Sequence, residues 1–242
     1  MKQITENINN LVSLWNLGGK LAGQLFANQD YSMSVVKQSE WPNKLWFHRK
    51  PDQPLMDEIQ EQWKLNNISI AIWDNPFNKA EDLLTSNGFE LKNELTGMSV
   101  SLKSKFRTSD NLDLVRVNNL EQAVIWSDLF LKAFGYQITV STIINTMHMV
   151  NYFIAHSKEK QVGTAVLYQD NLNVIGIHSM GIIPEQRRKG YAKELLHHVL
   201  SIAEKKGATL ATLQASEMGK GLYLKTGFKE DFKLKNFIKS NI

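Results

Sequence analysis

The stretch "PEQRRKGYAKELLHHVL" (residues 184–200) decides how the rest of the chain is read. From Gly190 to Lys205 the apolar positions Ala192, Leu195, Leu196, Val199 and Ala203 recur at three and four, which predicts an amphipathic helix closed by Gly207. Ahead of it stand Arg187, Arg188 and Lys189, where a helix macrodipole is already positive. Like charge at that end costs roughly a few tenths of a kcal/mol. A solvated basic turn accounts for the charges but not for the small residues Gly190 and Ala192 at fixed spacing. An anion site accounts for both. The free N–H groups of a helix start point outward, Gly190 lets backbone approach closely, and Ala192 keeps the first turn slim.

Composition bounds the setting. The 242 residues suit one large domain or two smaller ones, and 43% apolar with 21% charged side chains is a globular balance. No run approaches the roughly 18 apolar residues of a membrane span, and "MKQITENINNLVSLW" is no secretory signal, so a cytoplasmic protein without a membrane partner is expected. Cysteine is absent, which excludes disulfides, thiolate metal sites and a thiol-borne intermediate. The six histidines show no HExxH or paired spacing, so no metal is expected. A net charge of +4 suits an anionic cofactor as well as a nucleic acid.

The C-terminal half reads as β-α-α-β-β-β-α-β-α-β, a mixed sheet covered by helices. Its strands are "LDLVRV" (112–117), "NYFIAHS", "QVGTAVLY", 171–183 and 208–215; helices cover Leu120–Phe134, Ser141–Val150 and Glu217–Lys225. The N-terminal half predicts a helix over Glu6–Leu25 interrupted at Gly18-Gly19, strands at 32–37, 44–49 and 68–73, and helices at 55–64 and 79–85. The polar stretch 103–111 reads as a linker, giving units of 1–102 and 112–242. Trp15, Trp41, Trp46, Trp63 and Trp73 read as core aromatics. "AEDLLTSNGF" (80–89) and "GKGLYLKTGF" (219–228) share a spacing at an offset of 139 residues, which points to an internal duplication.

"IIPEQRRKGYAKELL" resembles the acetyl-coenzyme A signature of the GNAT superfamily of N-acetyltransferases, with Arg187-x-x-Gly190-x-Ala192 as its core. "LQASEMGKGLYLKTGF" resembles the second block of that family, with Tyr223 four residues before Gly227-Phe228. The resemblance covers 113–242. It implies an α+β, mixed-sheet acyl-CoA N-acyltransferase fold in two tandem GNAT-like halves, the first degenerate. It also implies acetyl-CoA as cosubstrate. Its pyrophosphate would sit on the loop and first turn, residues Arg187, Arg188, Lys189, Gly190, Tyr191, Ala192 and Lys193. Pantetheine would thread a gap beside "SMGII", where Met180 and Ile182 offer backbone groups and Gly181 allows a bulge. Ser216, where the family often has Asn, caps a helix or bonds the pantetheine arm.

For the chemistry, the resemblance places Tyr223 as general acid to the departing thiolate; a core aromatic is the competing account. Alternation puts Gly176, His178 and Met180 on one strand face. Gly176 stands where relatives carry Glu and cannot act as a base. His178 resembles the later of two strand histidines in serotonin N-acetyltransferase, and can accept a proton through water or be purely structural. Acetyl transfer is then direct, to a primary amine on a small molecule or peptide. In the first half Leu84 stands in the place of Tyr223 and no Arg-x-x-Gly-x-Ala precedes the strand at Ile68, leaving a scaffold or one wall of the acceptor pocket. The alternatives are transfer of another acyl or aminoacyl group, or a non-catalytic acyl-CoA sensor. Nucleic acid is not expected, since only Tyr191 interleaves with the basic residues.

Overall fold

The computed structural model describes residues 2–73, 80–102, 106, 108, 111–170 and 173–240. Most of the expected linker 103–111 lies outside them. In chain order the elements are α1 (Lys2–Ala22), β1 (Gln24–Ala27), β2 (Tyr31–Val35), β3 (Lys44–Phe47), α2 (Gln53–Gln62), β4 (Ser69–Trp73), α3 (Ala80–Ser86) and β5 (Phe89–Ser101). There follow β6 (Asp113–Arg116), α4 (Leu120–Phe134), α5 (Val140–Thr146), β7 (Asn151–Ser157), β8 (Lys160–Gln169), β9 (Val174–Ile182), α6 (Tyr191–Lys205), β10 (Leu210–Ala215), α7 (Glu217–Lys225) and β11 (Lys229–Lys239).

Among the described residues, all the strands join one eleven-stranded sheet, ordered β1-β2-β3-β4-β11-β5-β10-β9-β8-β7-β6. The two halves exchange their last strands. β5 closes the N-terminal half yet pairs with β10, and β11 closes the C-terminal half yet pairs with β4. β5 and β11 also pair with each other over most of their length. The sheet is therefore continuous through the middle of the molecule.

Helices α6 and α7 cover one face of the C-terminal half. Leu195, Leu196, Val199, Leu200 and Ala203, the apolar stripe read from the sequence, pack there on Ile175, Ile177, Ala211 and Leu213. Burying each large aliphatic side chain stabilises by roughly 1.5–3 kcal/mol. α4 and α5 cover the opposite face, where Trp126 and Phe130 meet Tyr152 and Val166. α1 lies on that same face and crosses both halves, with Leu14 among the α4 contacts and Leu11 and Trp15 against Trp46, Ala71 and Leu234. Contrary to the sequence reading, α1 runs through Gly18 and Gly19 unbroken. Added side chains there would run into Pro42 and Ser34, so both glycines serve close packing. The helix also stops at Ala22, not Leu25, because β1 begins at Gln24.

Candidate active site

β10 runs parallel to β9 through Leu210↔Val174, Ala211↔Ile175 and Thr212↔Gly176, and there the pairing ends. Beyond that point β10 stays with β5 and β9 stays with β8. A wedge opens between them, with Gly176 and Thr212 at its apex. The parting of strands expected ahead of the basic loop is thus present. Its bulge sits elsewhere than expected. Thr164 faces Gly181 and Val166 faces His178, so β9 carries one extra residue at Ser179–Met180. Ser179 takes φ 49°, and its carbonyl accepts from Thr164 Oγ1 at 3.0 Å. The bulge breaks strand alternation. Gly176 and His178 face α1, whereas Met180, expected beside them, packs against the core under α6.

The loop after β9 makes a 3₁₀ turn over Pro184–Gln186 and then takes positive φ at Arg188 (63°) and Gly190 (86°). Gly190 is the N-cap of α6 and brings no side chain to fill it. Among the described residues, no hydrogen bond takes the amides of Arg188, Lys189, Gly190, Tyr191 or Ala192. Successive unpaired N–H groups in such a turn form a concave anion cradle. Arg188, Lys189 and Lys193 are exposed around it, with Lys189 Nζ donating to Gln186 Oε1 at 2.8 Å. The Arg187 side chain has another task. Its Nε donates to the Ile182 carbonyl and its Nη2 to the Ala133 carbonyl, each at 3.0 Å, tying the end of β9 to the end of α4. Ile182's carbonyl is thereby engaged. The Tyr191 hydroxyl accepts from Ser157 Oγ at 3.0 Å.

Ser216 caps α7, its Oγ accepting from the Gly219 amide at 3.3 Å and keeping its O–H as a donor. Tyr223, on the same helix, is 9% exposed within the α6-side core and meets Phe228 edge-on. Burial pushes its phenol up to about 12. The phenol therefore stays protonated at neutral pH.

His178 lies under α1 in a polar network that the sequence reading missed. Its Nε2 stands 3.3 Å from Asn10 Oδ1. Gln214 is its other hydrogen-bonding neighbour, and Gln214 Nε2 donates to Asn7 Oδ1 at 2.7 Å. Asn7 Nδ2 in turn donates to the Met98 carbonyl at 3.0 Å and to Asp231 Oδ2 at 3.1 Å. Burial pulls the imidazole down to about 4, only partly offset by Gln214, so it is neutral and weakly basic. Gly176 is glycine for this reason: a Cβ there would collide with Asn10 Oδ1 and His178 Nε2. Beside it the Thr212 hydroxyl is buried without a partner among the described residues, a feature that costs roughly 1–3 kcal/mol. The missed signal was the pair Asn7 and Asn10, polar residues inside the stripe Leu11, Leu14, Trp15 that α1 buries.

Residues 149–230 match the family model described as an acetyltransferase (GNAT) domain. No curated protein matches this sequence. Among solved structures, the chain is similar to a GCN5-related N-acetyltransferase from Kribbella flavida, at 12% identity and a TM-score of 0.69, covering 99% of this chain and 95% of that one. It is likewise similar to a GCN5-related N-acetyltransferase-like protein from Streptococcus suis, at 14% identity and a TM-score of 0.60, covering 98% and 100%. A GCN5-related N-acetyltransferase from Sphaerobacter thermophilus aligns at 14% identity and a TM-score of 0.61, covering 90% and 84%. The likeness in fold therefore includes the N-terminal half. The chain has the GNAT fold over nearly its whole length, and its residues 149–230 are similar to the GNAT acetyltransferase domain.

Proposed function

We propose that this protein is an acetyl-CoA-dependent N-acetyltransferase that moves the acetyl group directly to a primary amine, with the C-terminal half as its working half. One observation carries the reading: the free-amide cradle at Arg188–Ala192 stands at the end of β9, the strand that parts from β10. An anion on the cradle and an extended arm in the wedge suit a phosphate-bearing thioester. The cradle would hold the pyrophosphate, and Arg188, Lys189 and Lys193 would draw in its charge. Unpaired strand edges on β9 and β10, Met180 among them, would take the amide groups of the arm.

The thioester supplies the activated acetyl carbon. The amine nitrogen bonds to it as the carbon–sulfur bond breaks, the sulfur takes a proton, and the amine loses one. Tyr223 would donate the proton to sulfur. A phenol at about 12 remains protonated until charge builds on the leaving atom. His178, neutral above about pH 4, would accept hydrogen bonds from the amine or its water, and its weak basicity favours an acceptor that arrives already deprotonated. The N-terminal half would act as scaffold and, through α1, as a wall on the acceptor side. Among the described residues no helix is long and apolar enough to cross a membrane. We place the reaction in the cytoplasm.

The test is a panel of amines with acetyl-CoA, read as thiol release and acetylated product. Turnover with at least one amine is expected. Coenzyme A binding with no thiol release from any amine would replace the enzyme by an acyl-CoA sensor, and release with other acyl thioesters alone would correct the donor.

A further inference from the structure

α1 begins the chain, more than 150 residues from the wedge in sequence, yet two of its asparagines are wholly buried beside it. The surroundings of Asn10 allow one orientation of its amide. Nδ2 donates to the Tyr168 carbonyl at 3.2 Å and to Asp170 Oδ1 at 2.9 Å. Turning the amide over would set its oxygen against both of those oxygens. Oδ1 must therefore face Nε2 of His178, 3.3 Å away. An amide oxygen only accepts, so the ring nitrogen opposite it carries the hydrogen.

We propose that Asn10, oriented by Asp170, is a positioning residue that fixes His178 as its Nε2–H tautomer and leaves Nδ1 as the basic nitrogen of the ring. The tautomer stands on the hydrogen bonds alone; its use toward an amine rests on the function proposed above. One further observation fits it: Gly176 leaves the space that the Asn10 and His178 contact occupies. Gln214, held in place by Asn7, is the ring's other hydrogen-bonding neighbour, and its contact favours the protonated imidazole. Asp231, which accepts from Asn7 and Ser99, and Asp170 are the carboxylates of this network. One helix of the N-terminal half thus sets the chemistry of a strand in the C-terminal half.

The experiment is a long-range ¹H–¹⁵N correlation on the full chain with ¹⁵N-labelled histidine, the His178 signals being assigned by their loss in His178→Gln. In the wild type at pH 7.5, His178 should give one protonated nitrogen, Nε2, and one unprotonated, Nδ1. Asn10→Leu keeps the volume and removes the acceptor, so both nitrogens should move toward the averaged values of exchanging tautomers. Asp170→Ala removes one of the two anchors and should move them less, in the same direction. A wild-type Nδ1–H form would overturn the proposal, as would an unchanged pattern in a folded Asn10→Leu. Should Asn10→Leu fail to fold, the wild-type pattern and Asp170→Ala decide it. In kinetics, Asn10→Leu should lower kcat about 10- to 100-fold and leave KM for acetyl-CoA unchanged. A chain without transferase activity removes the functional reading and leaves the tautomer result standing.

Discussion

The two halves repeat one plan and differ at three matched places. In each, two parallel strands pair over three residues: Lys44↔Ser69 to Trp46↔Ala71 in the first, Val174↔Leu210 to Gly176↔Thr212 in the second. The last paired residue is Trp46 in one and Gly176 in the other. Trp46 fills its own side with an indole packed on Trp15 at 5.5 Å, whereas Gly176 leaves room to Asn10 and His178. The helix that follows is capped differently. Asp52 supplies its own carboxylate to α2, accepting from the Leu55 amide at 3.1 Å and pairing with Arg49 at 3.0 Å. Gly190 supplies nothing to α6. On the third element Leu84 is fully buried where Tyr223 brings a hydroxyl. One half satisfies its helix start with its own carboxylate, and the other leaves its helix start uncapped, where we propose the ligand binds.

The first way to break this comparison is to separate the halves. Residues 112–242 alone lack β5 and β4, so β10 loses a neighbour on one side and β11 loses both of its neighbours. We expect no cooperative thermal unfolding and no coenzyme A binding from that fragment. A fragment that melts cooperatively would mean that the exchanged strands are dispensable. Next in size is Tyr223→Phe, which should lower the acetyl-transfer rate by roughly 10² to 10⁴ with cofactor affinity held. It must be measured under conditions where chemistry limits turnover. A wild-type rate would leave Tyr223 a core aromatic like Leu84. Gly190→Glu puts a carboxylate into a left-handed position at the cradle and should weaken coenzyme A about 10- to 100-fold in calorimetry. Unchanged affinity in the folded variant would sink the loop assignment.

A smaller effect compares the buried base of each half. Burial lowers His178 from 6.5 to about 4, and burial with repulsion from Lys92 lowers Lys44 from 10.5 to about 7. The unfolded chain therefore binds more protons than the folded one between about pH 4 and 6.5, and again between about 7 and 10.5. Stability should rise with pH through both windows, on the order of 1–3 kcal/mol in each. His178→Gln should flatten the acid window alone and Lys44→Met the alkaline one, as read by denaturant midpoints across pH. A slope in either window that survives its substitution would show that the named base does not carry it.

What could be read ahead of the structure was what is local. The α6 stripe, the glycine at its head and the strand before it lie within thirty residues, and their periodicity and turn chemistry are set by neighbours in the chain. The thirteen residues of β5 escaped notice. Its outer part, Glu90–Glu94, is exposed and charged, so no apolar alternation marks it, and only pairing with β11 and β10 makes it a strand. The exchange of β5 and β11 has no local signal at all. The bulge was expected at Gly181 from its freedom of φ, but Ser179 takes the positive φ, held there by Thr164 of β8. Asn7 and Asn10 lie far in sequence from His178 and Gln214, which only the crossing of α1 over the sheet brings to them.

In the function proposed above one half alone holds coenzyme A, and stoichiometry tests this most directly. Titration calorimetry of the full chain with coenzyme A should give one site per chain, and Gly190→Glu should abolish or weaken that site without uncovering another. Two sites per chain, or one site whose affinity ignores Gly190 and follows substitutions around Asp52 instead, would contradict the account.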